Sequence, residues 1–69
     1  SGIDVCFVLS ESNGSVAISG RSVGDINVQV VLEEIGGGGH MNMAGAKLNM
    51  PMAEAISLLK ESIARNIKE

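Results

Sequence analysis

The sequence predicts a two-layer α/β domain, residues 1–69 forming one unit, in which two helices pack on a small mixed β-sheet built from an N-terminal hairpin plus a further strand. Three observations lead there. Two β-rich runs flank Asn13-Gly14, a pair favoured in tight hairpin turns. Near the C-terminus, Met52, Ile56, Leu59, Ile63 and Ile67 recur at spacings of four, three, four and four, as one apolar face of a helix requires. The order strand, strand, helix, glycine run, strand, helix then fits helices layered on a sheet.

At 69 residues the chain is a small domain near the lower limit for folding without disulfides or metals. It is 45% hydrophobic with a formal net charge of −3, too apolar and too weakly charged for a disordered segment. Phe7 is the sole aromatic residue, so Val, Ile, Leu and Met must carry the burial. An isoelectric point near 4.9 argues against binding long nucleic acid, which needs a basic stripe to displace counterions, and leaves a small phosphate ligand open. The single cysteine, Cys6, excludes an intrachain disulfide and is expected in the core. No apolar stretch reaches the ~18 residues of a membrane span and no signal peptide is visible, so this piece is expected to be soluble, without membrane contact of its own. A start at Ser1-Gly2, without methionine, points to a fragment of a longer protein.

Ile3–Ser10 and Ser15–Arg21 read as the hairpin strands, Val16 and Ile18 alternating against Ser15, Ala17 and Ser19. Ile26–Ile35 carries two periods at once: Ile26, Val28 and Val30 alternate as in a strand, while Val28, Val31, Leu32 and Ile35 fit a helical face. End signals decide for a helix, with Asp25 as N-cap, Glu33-Glu34 as a solvated face and Gly36 where a left-handed C-terminal cap is wanted. Ala44–Asn49 is expected as the third strand. Pro51 suits the first turn of the last helix, where its missing N–H is no loss. In that helix Glu61 pairs with Arg65 across one turn, and Arg65 and Lys68 suit the negative end of its dipole. Met41, Met43, Met50 and Met52 read as adaptable core filling.

The stretch IGGGGHMNMAGA, Ile35 to Ala46, is the most informative. An ordered glycine is less favourable than alanine by roughly 0.5–1 kcal/mol, so four in succession need a reason. A flexible linker here would leave pieces shorter than the ~40 residues a domain usually needs, which places the run inside one domain. A mobile surface loop between helix and strand is one reading. The other is a bare backbone whose successive N–H groups form a concave nest around a phosphate, with His40 adding a donor whose charge changes near neutral pH. Neither the P-loop, which needs Lys and then Ser or Thr, nor the dinucleotide fingerprint, which needs a third glycine, fits His40-Met41-Asn42.

GRSVGDINV followed by GGGGHxxxAG resembles the DHH-associated domain, subfamily one, the C-terminal half of DHH-family phosphodiesterases, over about Val5 to Ile67. It is most similar to the version found in bacterial cyclic di-AMP phosphodiesterases. The resemblance implies that Gly37, Gly38, Gly39 and His40 grip the phosphate or terminal nucleotide of the substrate. Arg21 would contact the nucleotide from the adjoining strand end, where a guanidinium suits bidentate anion recognition. Ser22 and Asn27 are weaker candidates. Met43-Ala44-Gly45 departs from the pattern, since many relatives carry two alanines before the glycine; the departure bears on the neighbouring packing and the nucleobase contact.

The resemblance further implies a parent chain whose separate DHH domain holds manganese, which is anchored in the membrane with this domain on the cytoplasmic side, and in which a homodimer is a candidate assembly. This chain's one His, one Cys and two separated aspartates, Asp4 and Asp25, cannot build a two-metal site, so no catalytic or metal-ligating residue is expected within it. The isolated piece is accordingly expected to be inactive, binding a cyclic dinucleotide or short oligonucleotide in the cleft it makes with the DHH domain. Two alternatives stay open. One is a related hydrolase of short RNA, single-stranded DNA or polyphosphate; the other is a nucleic-acid-binding or dimerisation module like that of alanyl-tRNA synthetase.

Overall fold

The computed structural model describes residues 4–67. Strands β1 (Val5–Ser12) and β2 (Ser15–Ser22) are followed by helix α1 (Val28–Glu34), strands β3 (Gly38–His40) and β4 (Met43–Leu48), and helix α2 (Met52–Asn66). The sheet has four strands in the order β1-β2-β4-β3. All three pairings are antiparallel, so the two-layer α/β architecture stands, and among the described residues the sheet is antiparallel where a mixed one was expected. The extra strand is β3, formed by the glycine run itself.

The β1–β2 turn needs positive φ at both central residues, and Asn13 (51°) and Gly14 (80°) supply it. Ser12 pairs with Ser15, and the register runs back to Val5 opposite Ser22. Ile3, the expected first strand residue, lies outside the described residues, as does Lys68.

One face of the sheet carries both helices. Val16 and Ile18 of β2 and Ala44 and Leu48 of β4 meet Val28, Val31 and Leu32 of α1 and Ala55 and Leu59 of α2 in a single buried cluster. Phe7 of β1 pairs with Gly20 of β2, where a Cβ would stand 2.9 Å from the ring, so the aromatic covers the space a side chain would fill.

Several local expectations are corrected. Gly24 and Asp25 form a turn, so the N-cap of α1 is Asn27, whose Oδ1 accepts from the Gln29 N–H at 2.9 Å and the Val30 N–H at 3.3 Å. Pro51 stands at the N-cap of α2, one residue before the helix. Ile56 is 38% exposed, and the buried stripe of α2 is Ala55, Leu59 and Ser62, with Met52, Leu58 and Ile63 packed beside it. Met50 and Met52 pack against the core as expected, whereas Met41 and Met43 are exposed. Cys6 is also exposed, because it alternates with Val5 and Phe7 and so points to the side of the sheet without helices. Among the described residues no helix is long and apolar enough to cross a membrane.

Glu34, read from sequence as a solvated acid, clamps the two helices. It accepts from Arg65 Nε at 2.9 Å and Asn66 Nδ2 at 2.8 Å, while Arg65 has no ion pair with Glu61 among the described residues. The buried Ser62 hydroxyl lies 2.7 Å from both Glu34 Oε1 and the Val31 carbonyl, and its one hydrogen serves one acceptor at a time. Hydrogen bonds from Arg65 first and Ser62 next hold the Glu34 carboxyl below the usual carboxylate range, against a smaller opposing effect of desolvation. A carboxylate depressed on folding contributes stability that is complete above its unfolded pKa and lost as pH falls through the folded one. The melting midpoint is therefore expected to drop as pH descends through and below the ordinary glutamate range. Glu34→Gln should flatten that part of the profile; an unchanged profile would remove Glu34 from this role.

Candidate functional site

Residues opposite one another in an antiparallel ladder share a face, and the three registers place Cys6, Arg21, Met43 and His40 in one row across β1, β2, β4 and β3. The row lies at one end of the sheet, on the face away from the helices. Strands are spaced ~4.8 Å apart, so the Cα atoms of Arg21 and His40, two strands apart, stand about 10 Å from each other with Met43 between them. Both side chains are exposed. Sequence reasoning paired the two by type; the register puts them together in space.

The next row inward is Val8, Ser19, Gly45 and Gly38, and the one after it Ser10, Ala17 and Lys47. No Asp or Glu occupies a strand position of this face. It carries two of the five Lys and Arg residues and the only His of a chain whose net charge is −3, so charge is segregated and the face favours an anion. A shallow cavity of about 140 Å³ adjoins Arg21, lined also by Asp4, Cys6 and Val23.

The glycine run divides into different tasks. Gly36 takes φ +102° just past α1, its N–H bonding the Glu33 carbonyl at 3.1 Å, and the Gly37 N–H bonds the Leu32 carbonyl at 2.7 Å. These two bonds are the Schellman arrangement that closes a helix C-terminus. The concave amide nest expected across the run is thus not formed at its first two residues, because the end of α1 takes both N–H groups. Gly37 also lies against β4, where a Cβ would collide with the Gly45 carbonyl oxygen and stand 2.7 Å from Ala46 Cβ. Gly39 is held as closely against Ala44. Gly36 and Gly38 have open space at their Cβ positions, and Gly38 sits on the Arg21–His40 face opposite Gly45.

Ser22 and Asn27 lie beside the row, in the segment joining β2 to α1. The Ser22 hydroxyl donates to the Ile26 carbonyl at 2.6 Å, and Asn27 caps α1. Asn42, which sequence reasoning passed over as a spacer between His40 and Ala44, ties this segment to the β3–β4 turn. Its Nδ2 donates to Ser22 Oγ at 2.9 Å and lies 3.3 Å from the carbonyls of Gly24 and Ile26. The Val28 N–H adds a bond to the Met41 carbonyl at 2.8 Å. An amide with two donors in a two-residue turn was the available signal, but its partners lie 16 to 20 positions away.

Among the described residues no three His, Cys, Asp or Glu side chains gather where they could hold a metal ion.

The family model described as DHHA1 domain matches residues 1–69. The chain is 48% identical over 65 residues to a cyclic-di-AMP phosphodiesterase GdpP of Geobacillus thermodenitrificans, covering 91% of this chain and 10% of that protein. It is 41% identical over 64 residues to the cyclic-di-AMP phosphodiesterase PdeA of Listeria monocytogenes, covering 90% of this chain and 10% of the relative. Against GdpP of Bacillus subtilis the identity is 42% over 50 residues, 71% of this chain and 8% of that protein. The chain thus spans about a tenth of the length of the curated relatives it matches.

Proposed function

Because this chain belongs to the DHHA1 domain family, we propose that it is the substrate-gripping part of a phosphodiesterase that hydrolyses cyclic di-AMP or a related dinucleotide. The observation that carries the reading is the placement of Arg21 and His40 in one exposed row of a sheet face whose strand positions hold no carboxylate, Asp4 lying just before β1. Arg21 meets a phosphate with its planar fork and His40 adds a ring N–H donor. Gly38 leaves β3 bare one row inward from His40 on this face, while Gly37 and Gly39 keep the chain close against β4. Ser22 and Asn27 act from beside the row by fixing the segment that follows Arg21.

The relatives' activity as cyclic-di-AMP phosphodiesterases and their identity to nearly all of this chain support the substrate class. Hydrolysis itself belongs to a DHH domain elsewhere in the parent chain, which supplies the manganese site and the activated water. In a purified preparation with manganese, the isolated chain is expected to leave cyclic di-AMP intact and the full-length parent to linearise it. Turnover by the isolated chain overturns the division of labour; an inert full-length parent overturns the activity.

A further inference from the structure

The face that carries Arg21 and His40 has a second cationic station. Lys47 stands four residues along β4 from Met43, with Ala17 and then Ser10 opposite it in register. Beyond them a cavity of about 450 Å³ opens at the hairpin end, lined by Ser10, Ser12, Asn13, Ser15, Ala17 and Lys47. Four strand residues span about 13 Å, so the two stations cannot share one phosphate through groups near the main chain. Between them Ser19, Gly45 and Gly38 leave a low floor.

The chemistry of this hollow is that of an anion and its sugar: one ammonium and several hydroxyls. Glu11, the acid of the hairpin, pairs with Val16 and so alternates to the other side of the sheet. A second cavity among the described residues, about 440 Å³ along α2, is lined by Glu54 and Glu61 and suits no anion. We propose that Lys47 and the hydroxyl-lined hollow of the β1–β2 hairpin form a second subsite, taking the far phosphate and sugar of a two-nucleotide ligand whose near phosphate meets Arg21 and His40. This rests on the function proposed above and adds what that reading lacks, a reason for a dinucleotide in preference to a single phosphodiester.

The test compares two substrates in the full-length parent with manganese: cyclic di-AMP, which has two phosphates, and bis-p-nitrophenyl phosphate, which has one. Lys47→Ala is expected to lower kcat/KM for cyclic di-AMP about tenfold, the scale of one charged hydrogen bond, and to leave the small ester within about twofold. Lys47→Arg should retain most of the activity on cyclic di-AMP. Lys47 is exposed, so an unchanged melting midpoint accompanies these effects. An effect of Lys47→Ala on neither substrate, or an equal effect on both, overturns the second subsite. Arg21→Ala and His40→Ala tell the two failures apart: if both are silent on both substrates, the first station falls and the second with it, whereas if they act and Lys47→Ala is silent, the second alone falls.

Discussion

Arg21→Ala and His40→Ala, each placed in the full-length parent, are expected to lower kcat/KM for cyclic di-AMP by roughly 10- to 100-fold. The magnitude follows from the ~1.5–3 kcal/mol of a hydrogen bond to a charged group, at about 1.4 kcal/mol per factor of ten. The fold should scarcely respond. Both side chains are exposed, and neither makes a hydrogen bond or ion pair among the described residues, so each substitution should stay within about 0.5 kcal/mol of the parent's stability. The form of the loss is also set. In the proposed role these residues would hold the substrate away from the reacting centre, where ground state and transition state are gripped alike, so the effect is expected mainly on KM. Steady-state kinetics with a melting curve for each variant decides the matter. Full activity in both variants removes them from the site, and a loss matched by unfolding makes them structural.

What the sequence discloses of this domain depends on how far each signal reaches along the chain. Asn13-Gly14 is read locally, because the turn it forms needs positive φ at two adjacent residues and little else. The last helix is read almost as locally, yet its buried edge was misjudged at Ile56 and Ser62. An apolar count ranks isoleucine above serine, whereas the packing favours Ser62 because Val31 and Glu34, some 30 positions earlier, take its hydroxyl. Strand β3 gave no apolar signal at all. Three residues, two of them glycine, become a strand only because β4 offers a ladder beside them. Cys6 shows the converse, an apolar residue sent outward by the alternation of its neighbours. The candidate site divides the same way. Arg21 and His40 are conspicuous by residue type, but their shared row is a property of registers across three strands, and the role of Asn42 is a property of a turn closing on a distant segment.

Gly37→Ala is expected to be a strongly damaging single-methyl change in the glycine run. The added Cβ would meet a backbone oxygen, that of Gly45, and Ala46 Cβ at 2.7 Å. Neither neighbour can rotate aside, since both belong to β4 at the centre of the sheet, between β2 and β3. Relief would require α1 to lift from the strand at the point where the Gly37 N–H closes the helix end on Leu32, loosening the packing of Leu32 and Val31. Overpacking of this kind costs roughly 1–3 kcal/mol, and the lost helix closure adds to it. In a domain of this size that is a large share of the total, and chemical denaturation should show a clear fall in midpoint. Gly38→Ala is the internal control. It adds the same methyl one residue later, into open space on the outer face, and at an ordinary strand position alanine recovers part of the roughly 0.5–1 kcal/mol that glycine forgoes. The pair should therefore separate folding from binding, with Gly37→Ala destabilising the domain and Gly38→Ala keeping it folded while crowding the face one row inward from His40. Equal midpoints for the two variants would mean that the close approach of Gly37 to β4 does not constrain the fold, and that the run is bare for some other reason.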